Sequence, residues 1–248
     1  SSSATPNPAP PLADPLTRPP MTPRIHRPSR RSAAFTLPEL AIVLVVILVL
    51  ALLAIPAMAR LQPKASRTKC INQLKNVGMG LRIFSFDHNG AWPWQVSTNQ
   101  GGSREFLQDP SLAWPHFQAL SNELSSPRSM RCPADLESID TLTWIDSRTN
   151  SAFSYFLGLD ASEENPNTIL SGDSNLELNG RRLRATLVTL RTNADIRFHN
   201  SRHENPPSGA GNILFGDGSV QQVTSARLRE ALFLPGDPTN SIHRWLIP

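Results

Sequence analysis

The sequence predicts an α+β protein in which a long N-terminal transmembrane and amphipathic α-helix precedes a small antiparallel β-sheet domain. Three observations predict this class. No charged residue occurs from Leu40 to Ala59, and as a helix these residues rise roughly 30 Å, about the thickness of a bilayer core. Apolar residues then recur at three- and four-residue steps as far as Phe84, which favours an amphipathic helix. From Phe153 onward, short apolar runs between turn residues indicate strands.

The chain divides into four predicted segments. Residues 1–34 are rich in Pro, Ser and Arg and are interpreted as a disordered basic leader. Residues 35–59 are interpreted as the transmembrane part of the helix and residues 60–90 as its amphipathic continuation. Residues 91–248 are interpreted as a globular domain.

The positive charge of the protein lies in the leader. Residues 1–34 hold five arginines and one acid, whereas the remaining chain has 19 basic and 19 acidic residues. The formal charge of +4 therefore gives no reason to expect nucleic-acid binding by the domain. Basic residues before an apolar span favour retention of that end in the cytoplasm. The C-terminal domain is therefore expected on the opposite side of the membrane.

A single acid, Glu39, stands at the start of the apolar run. A carboxylate in hydrocarbon costs several kcal/mol unless it finds a partner. The sequence therefore predicts that another group compensates Glu39, and the identity of that group bears on function.

The stretch Ala33-Ala34-Phe35-Thr36-Leu37-Pro38-Glu39-Leu40, after a basic leader, resembles the processing signal of type IV prepilins and type II secretion pseudopilins. This resemblance implies that a prepilin peptidase and methyltransferase cuts between Ala34 and Phe35 and methylates the new amino group of Phe35. It also implies a charge pair between Glu39 and the Phe35 amine of a neighbouring subunit, and a helix kink at Pro56. Family members usually carry Gly where this chain has Ala34.

Short segments of the mature chain also resemble a branch of pilin-like proteins from Planctomycetes and Verrucomicrobia, at residues 70–75, 86–90, 132–135 and 203–218. Together the resemblances imply a pilin-like fold and a structural, non-enzymatic subunit of a type II secretion or type IV pilus-type filament. The implied partners are the peptidase, other copies of the chain and related pseudopilins. The implied location is the inner membrane, crossed once, with a periplasmic or extracellular C-terminal domain.

The two cysteines, Cys70 and Cys132, can pair if the domain lies outside the cytoplasm. Such a loop stabilises a protein by roughly 4 kcal/mol in the chain-entropy model. Their spacing is not that of a metal site. Two unpaired thiols remain the alternative interpretation.

Turn residues and apolar runs predict the elements of the domain. Asp217-Gly218 between apolar runs favours a primed hairpin turn, and Ser225 is expected to cap the last helix. The expected elements are a helix end at 87–90, a short helix at 115–123, strands at 153–159, 183–190 and 194–198, a hairpin of 212–215 with 220–223, and a helix at 225–232.

Two other interpretations of the apolar run stay open. Ala57-Met58-Ala59 is a usable signal-peptidase site, and cleavage there would release residues 60–248 as a secreted domain. The run could also serve as a plain membrane anchor. Either version would suit a membrane-anchored or secreted, non-enzymatic binding module, but neither explains Glu39.

Two groups of polar residues invite a chemical interpretation. His199, His203 and Asp217 could support acid–base catalysis, but no nucleophile elbow, P-loop or HExxH motif accompanies them, so no enzyme is predicted. Residues 173–177 place oxygen ligands at alternate positions, as a calcium loop does, and major pseudopilins bind calcium in a C-terminal loop. The ligand set is incomplete, so calcium is left open and no metal site or cofactor is assigned.

Overall fold

The structure is a computed structural model. It describes residues 36–191, 193–199, 202, 209–232 and 242–248, with the backbone but not the side chains of 55–65. Within these residues the chain has one long N-terminal helix and antiparallel sheets, which confirms the predicted α+β class. The helices are α1 (Leu37–Asp87), α2 (Trp114–Gln118) and α3 (Ser225–Glu230). The strands are β1 (Tyr155–Gly158), β2 (Ile169–Asp173), β3 (Leu176–Leu178), β4 (Arg181–Arg182), β5 (Thr186–Arg191), β6 (Ile196–Phe198), β7 (Ala210–Phe215), β8 (Val220–Thr224) and β9 (Ile242–Ile247).

The chain comprises two compact units, Ser1–Leu50 and Ala51–Pro248. In the second unit, six antiparallel strands form a sheet in the order β5-β9-β1-β2-β7-β8. Three more strands form a small sheet in the order β4-β3-β6. The final strand, β9, lies between β5 and β1, so the C-terminal residues are part of the sheet interior.

One face of α1 packs on the six-stranded sheet. Its buried residues follow one another at three- and four-residue steps, because such spacing keeps side chains on one side of a helix. An added Cβ at Gly78 would lie 2.9 Å from Leu214 Cδ1, so this glycine allows the helix to approach β7 closely. The buried residues of this face are Cys70, Leu74, Val77, Leu81 and Phe84, and their sheet partners in the same cluster are Tyr155, Leu157, Leu170, Leu214 and Leu246.

The opposite face of the sheet is also buried. Alternate strand residues point to this side, among them Phe156, which stacks on Trp245 with ring centroids 4.4 Å apart. Phe198 of β6 and Leu228 of α3 belong to the same cluster, so the small sheet and α3 cover this face. The six-stranded sheet is therefore the middle layer of the domain.

The long segment between α1 and β1 contributes to the main core. Trp92 and Trp94 are buried, and their indole nitrogens donate to the carbonyls of Ala161 (2.9 Å) and Leu159 (3.1 Å). His88 stacks on Phe84 at the end of α1. Short 3₁₀ helices and α2, rather than strands, form this segment.

The predicted hairpin is present as β7 and β8, but the prediction of its turn is wrong. A primed turn of type I′ needs positive φ at both central residues. Only Gly218 is left-handed, with φ +82°, while Asp217 accepts a hydrogen bond from the Ser219 amide at 2.7 Å. The turn contains one additional residue, Gly216, whose amide donates to the Thr168 carbonyl at 2.8 Å. A tertiary contact therefore accompanies the longer turn.

The predicted cap of α3 is wrong by one residue. Thr224 is the N-cap, and its hydroxyl accepts from the Arg227 amide at 3.4 Å. Ser225 is buried instead, and its hydroxyl accepts from the Phe198 amide at 3.0 Å. Ser225 therefore joins α3 to β6. The predicted helix at 115–123 is also shorter, because α2 spans Trp114–Gln118 only.

Burial of His116 predicts an acid-sensitive fold. Its side chain is buried beside the Ser103 hydroxyl, 2.7 Å from Nδ1, and burial lowers the His116 pKa from 6.5 to about 4. Between these values the unfolded chain binds a proton that the folded chain does not, so stability falls as pH falls. We expect a loss of about 2 kcal/mol at pH 5 relative to pH 7, measured by urea unfolding with tryptophan fluorescence.

His116→Gln is the control for this prediction. The variant is expected to show a smaller loss of unfolding free energy between pH 7 and pH 5. Glu123, whose pKa is raised by burial, titrates in both proteins, so the difference between them isolates His116. Equal pH profiles for the two proteins would contradict the assignment.

Candidate functional site

The amino end of α1 is uncovered apolar surface. Residues Leu37–Ala54 are long and apolar enough to cross a membrane, and none of this stretch is buried within the chain. By length and composition the segment suits a membrane anchor or a signal sequence. Exposure of large apolar side chains to water is unfavourable. This segment must therefore be covered by lipid or by another protein, or be cleaved from the chain.

Glu39 lies in the first turn of this segment and is bound by Thr36. The Thr36 amide and hydroxyl both donate to Glu39 Oε2, at 2.9 and 2.8 Å. This is half of a capping box, in which the third helical residue reaches back to the N-cap amide. The hydrogen-bonding capacity of Glu39 is therefore met partly within its own chain.

The negative charge of Glu39 is not neutralised in the same way. Thr36 is uncharged, and across the described ranges Glu39 forms no ion pair. The positive end of the helix dipole favours an acid in the first turn, by about 0.3–1 kcal/mol. That gain is smaller than the cost of a charge in hydrocarbon, so a cationic partner is still expected.

The structure does not test the other residues predicted for this end of the chain. Ala34 and Phe35 lie outside the described residues, and so does the leader. The backbone of α1 is helical through Pro56, whose side chain is among those not described. Cleavage, methylation and the kink therefore stay predictions.

A disulfide joins α1 to the domain. Cys70 and Cys132 are bonded, with their Cα atoms 4.9 Å apart across 62 residues of sequence. Both cysteines are fully buried, and the Tyr155 hydroxyl lies 3.3 Å from the Cys70 carbonyl. Burial raises the pKa of Tyr155. The disulfide, which the sequence left open, therefore fixes the loop after Met130 to α1, and the Tyr155 hydroxyl joins β1 to the same point.

A buried ion pair that the sequence analysis missed follows this disulfide. Arg202 contacts Asp135, and only 8% of the arginine side chain and 4% of the aspartate side chain are exposed. The Ser154 hydroxyl donates to Asp135 at 2.7 Å, and Arg202 donates to Ser174 Oγ at 3.1 Å. Asp135 belongs to the Cys132-Pro133-Ala134-Asp135 patch, and Arg202 precedes the patch at 203–218. The available signal in the sequence was that both residues lie in or beside segments that resemble the pilin-like branch.

A cleft of about 240 Å³ lies beside this pair. Its wall includes Glu137, which accepts two hydrogen bonds from Arg182 at 3.0 Å and one from Arg184 at 2.6 Å. The Arg182 hydrogen bond, with the nearby charges, lowers the pKa of Glu137. These charged side chains bind one another, so the cleft does not by itself define a ligand.

The structure accounts for only some of the catalytic and calcium candidates. Asp217 accepts a hydrogen bond from the Ser219 amide and so holds its turn. The backbone amide of His199 donates to the Asn175 carbonyl at 2.7 Å, whereas the Nδ1 atom of its side chain is buried without a hydrogen-bond partner among the described residues. His203 lies outside the described residues. Asp173 Oδ2 accepts from the Asn212 amide at 2.7 Å, so one oxygen of the candidate calcium loop already has a protein donor. Within the part of the chain that the structure describes, no three His, Cys, Asp or Glu side chains form a metal-binding group.

No family model, curated protein or solved structure matches this chain. The fold and the site therefore define it by class: an α+β protein with one uncovered apolar helix at the N-terminal end and a disulfide-linked antiparallel β domain. Any narrower assignment depends on the residues at the start of that helix.

Proposed function

We propose that the chain is a non-enzymatic structural subunit of a pilin or pseudopilin filament. A prepilin peptidase removes residues 1–34, and Phe35 becomes the methylated amino terminus. The domain lies on the outer side of the inner membrane. The uncovered helices of many copies pack together as the filament core.

The observation that carries this proposal is an acid in the first turn of an uncovered apolar helix. Glu39 has hydrogen bonds from Thr36 but no cationic partner among the described residues. A newly exposed Phe35 ammonium of a neighbouring copy supplies that cation. An unpaired charge in a protein interface costs several kcal/mol, so copies in the wrong axial register are rejected.

The disulfide supports the proposed location of the domain. Disulfides persist in oxidising compartments such as the periplasm and the exterior, and they are rare in the cytoplasm. Cys70 lies on α1 beyond the apolar segment, and its partner Cys132 lies in the domain. This arrangement agrees with a basic leader that stays in the cytoplasm and a domain that is translocated to the outer side of the membrane.

Two substitutions at Glu39 separate its charge from its hydrogen bonds. Glu39→Gln keeps an oxygen that accepts from Thr36 but removes the charge, whereas Glu39→Val removes both. We expect both variants to insert in the membrane and fail to assemble, measured by membrane fractionation and by electron microscopy of sheared filaments. Normal polymerisation of Glu39→Gln would exclude the charge pair as the basis of register.

A secreted domain remains a second candidate, for a structural reason. The Ala57-Met58-Ala59 site precedes Cys70, the first fully buried residue of α1 among those described, so cleavage there leaves the core intact. The mass of the mature amino terminus separates the candidates. A Phe35 start that is heavier by one methyl group supports the filament subunit, whereas an Arg60 start supports the secreted domain.

A further inference from the structure

Beyond the apolar segment Leu37–Ala54, two sets of regularly spaced, exposed apolar side chains occur among the described residues of the second unit. The first, here called the helix stripe, comprises Met79, Ile83 and Phe86 of α1, and Phe86 is 88% exposed. At 3.6 residues per turn these three residues share one face of the helix, opposite the face that packs on the sheet. Scattered apolar residues on a surface are normal, but an aligned set opposite the buried face is not required for folding.

The second surface, here called the loop row, follows the disulfide. It comprises Leu136, Ile139, Leu142 and Ile145, which recur at every third residue, and Leu136 is 89% exposed. The loop is attached to α1 near Cys70, because Cys132 is bonded to that residue and the Arg128 carbonyl accepts from Gln73 at 3.1 Å.

The helix stripe and the point where the loop is attached lie at different levels along α1. The loop is attached near Gln73, and the centre of the helix stripe is ten residues later, a rise of roughly 15 Å. One copy therefore presents both surfaces without covering either. A head-to-tail contact between different patches is a heterologous interface, which repeats from copy to copy without closing.

Charge favours contact between the two surfaces over contact of either surface with itself. Residues 66–87 contain four basic residues and one acid, whereas residues 133–147 contain four acids and no base, with Arg148 next. Two helix stripes in contact would bring like cations together. Asp135, Glu137 and Asp140 have arginine partners in the same chain, which reduces the effect, whereas the described partner of Asp146 is the neutral Thr143.

We infer that the helix stripe of one copy packs against the loop row of the next copy. The inference rests on the proposed function in one respect, which is that the apolar segments of neighbouring copies hold those copies together. Seven apolar side chains are fewer than the roughly 20–30 residues per partner of a standard interface. The contact therefore forms between copies that the apolar segment Leu37–Ala54 already concentrates, and its stagger of roughly 15 Å fixes their axial offset.

Site-specific cross-linking of the full chain in membranes tests the contact. One chain carries Phe86→Cys and a second carries Leu142→Cys, and a bismaleimide is added after folding, when the native cysteines are already bonded. We expect mixed dimers in roughly tenfold excess over a control pair, the excess that about 1.4 kcal/mol of contact free energy produces. A chain with both substitutions is expected to give a ladder of products.

The control pair combines Leu142→Cys with Asn99→Cys, an exposed position in the short 3₁₀ helix Thr98–Gln100. Cross-links of Phe86→Cys with itself in excess of the mixed product would overturn the inference in favour of a symmetric contact. Sedimenting assemblies without the mixed product would overturn the inference and leave the proposed function intact. Wild-type protein that stays monomeric in the membrane would overturn both.

Discussion

Replacement of both cysteines, Cys70→Ala with Cys132→Ala, is expected to lower the unfolding free energy of the domain by more than about 4 kcal/mol. The bond closes a loop of 62 residues, and in the chain-entropy model a loop of this size restricts the unfolded chain by that amount. Both side chains are also fully buried in the main core, so their loss removes packing at the junction of α1 and the loop. Denaturant unfolding followed by the fluorescence of the five tryptophans measures the change.

Reduction of the wild-type protein is the matched control for this variant. Because reduction removes the bond but keeps both sulfur atoms, it isolates the loop-closure contribution from the packing contribution. We expect the reduced wild type to lose somewhat less stability than the double variant. If reduction leaves the unfolding midpoint unchanged, the disulfide does not stabilise the folded domain.

Asp135→Asn is expected to cost about 3–5 kcal/mol, because it leaves the buried guanidinium of Arg202 without a negative partner. The shape of the side chain is kept, so the loss reports charge rather than volume. The same urea unfolding measurement detects it.

Asp140→Asn is the matched control for Asp135→Asn. Asp140 also pairs with an arginine, Arg128, but these side chains are 45% and 54% exposed. Exposed pairs contribute about 0–1 kcal/mol, so this variant should be nearly neutral. The double variant Asp135→Leu with Arg202→Met should recover most of the loss, since no charge is then left buried. Equal losses for Asp135→Asn and Asp140→Asn would show that burial of the pair is not the cause.

Local patterns were sufficient for some elements and not for others. The extent of α1 followed from apolar spacing, and the hairpin of β7 and β8 followed from two apolar runs around Asp217-Gly218. The turn between β3 and β4 was missed although Asn179 and Gly180, both with positive φ, are the residues a primed turn requires. The strand β9 was missed because its residues 242–247 carry no strict alternation and are buried mainly by neighbours that are distant in sequence.

The sequence by itself determined the uncharged apolar run, the position of Glu39 at its start and the amphipathic face of α1, because each depends on residues a few positions apart. The contact of Thr36 with Glu39 is local in the same way, because Thr-x-x-Glu is the sequence signature of a capping box. Only the tertiary structure decided that Cys70 bonds to Cys132 and that Asp135 meets Arg202 across 67 residues. These two contacts join segments whose spacing encodes no periodicity, so they are fixed by the packing of the whole domain.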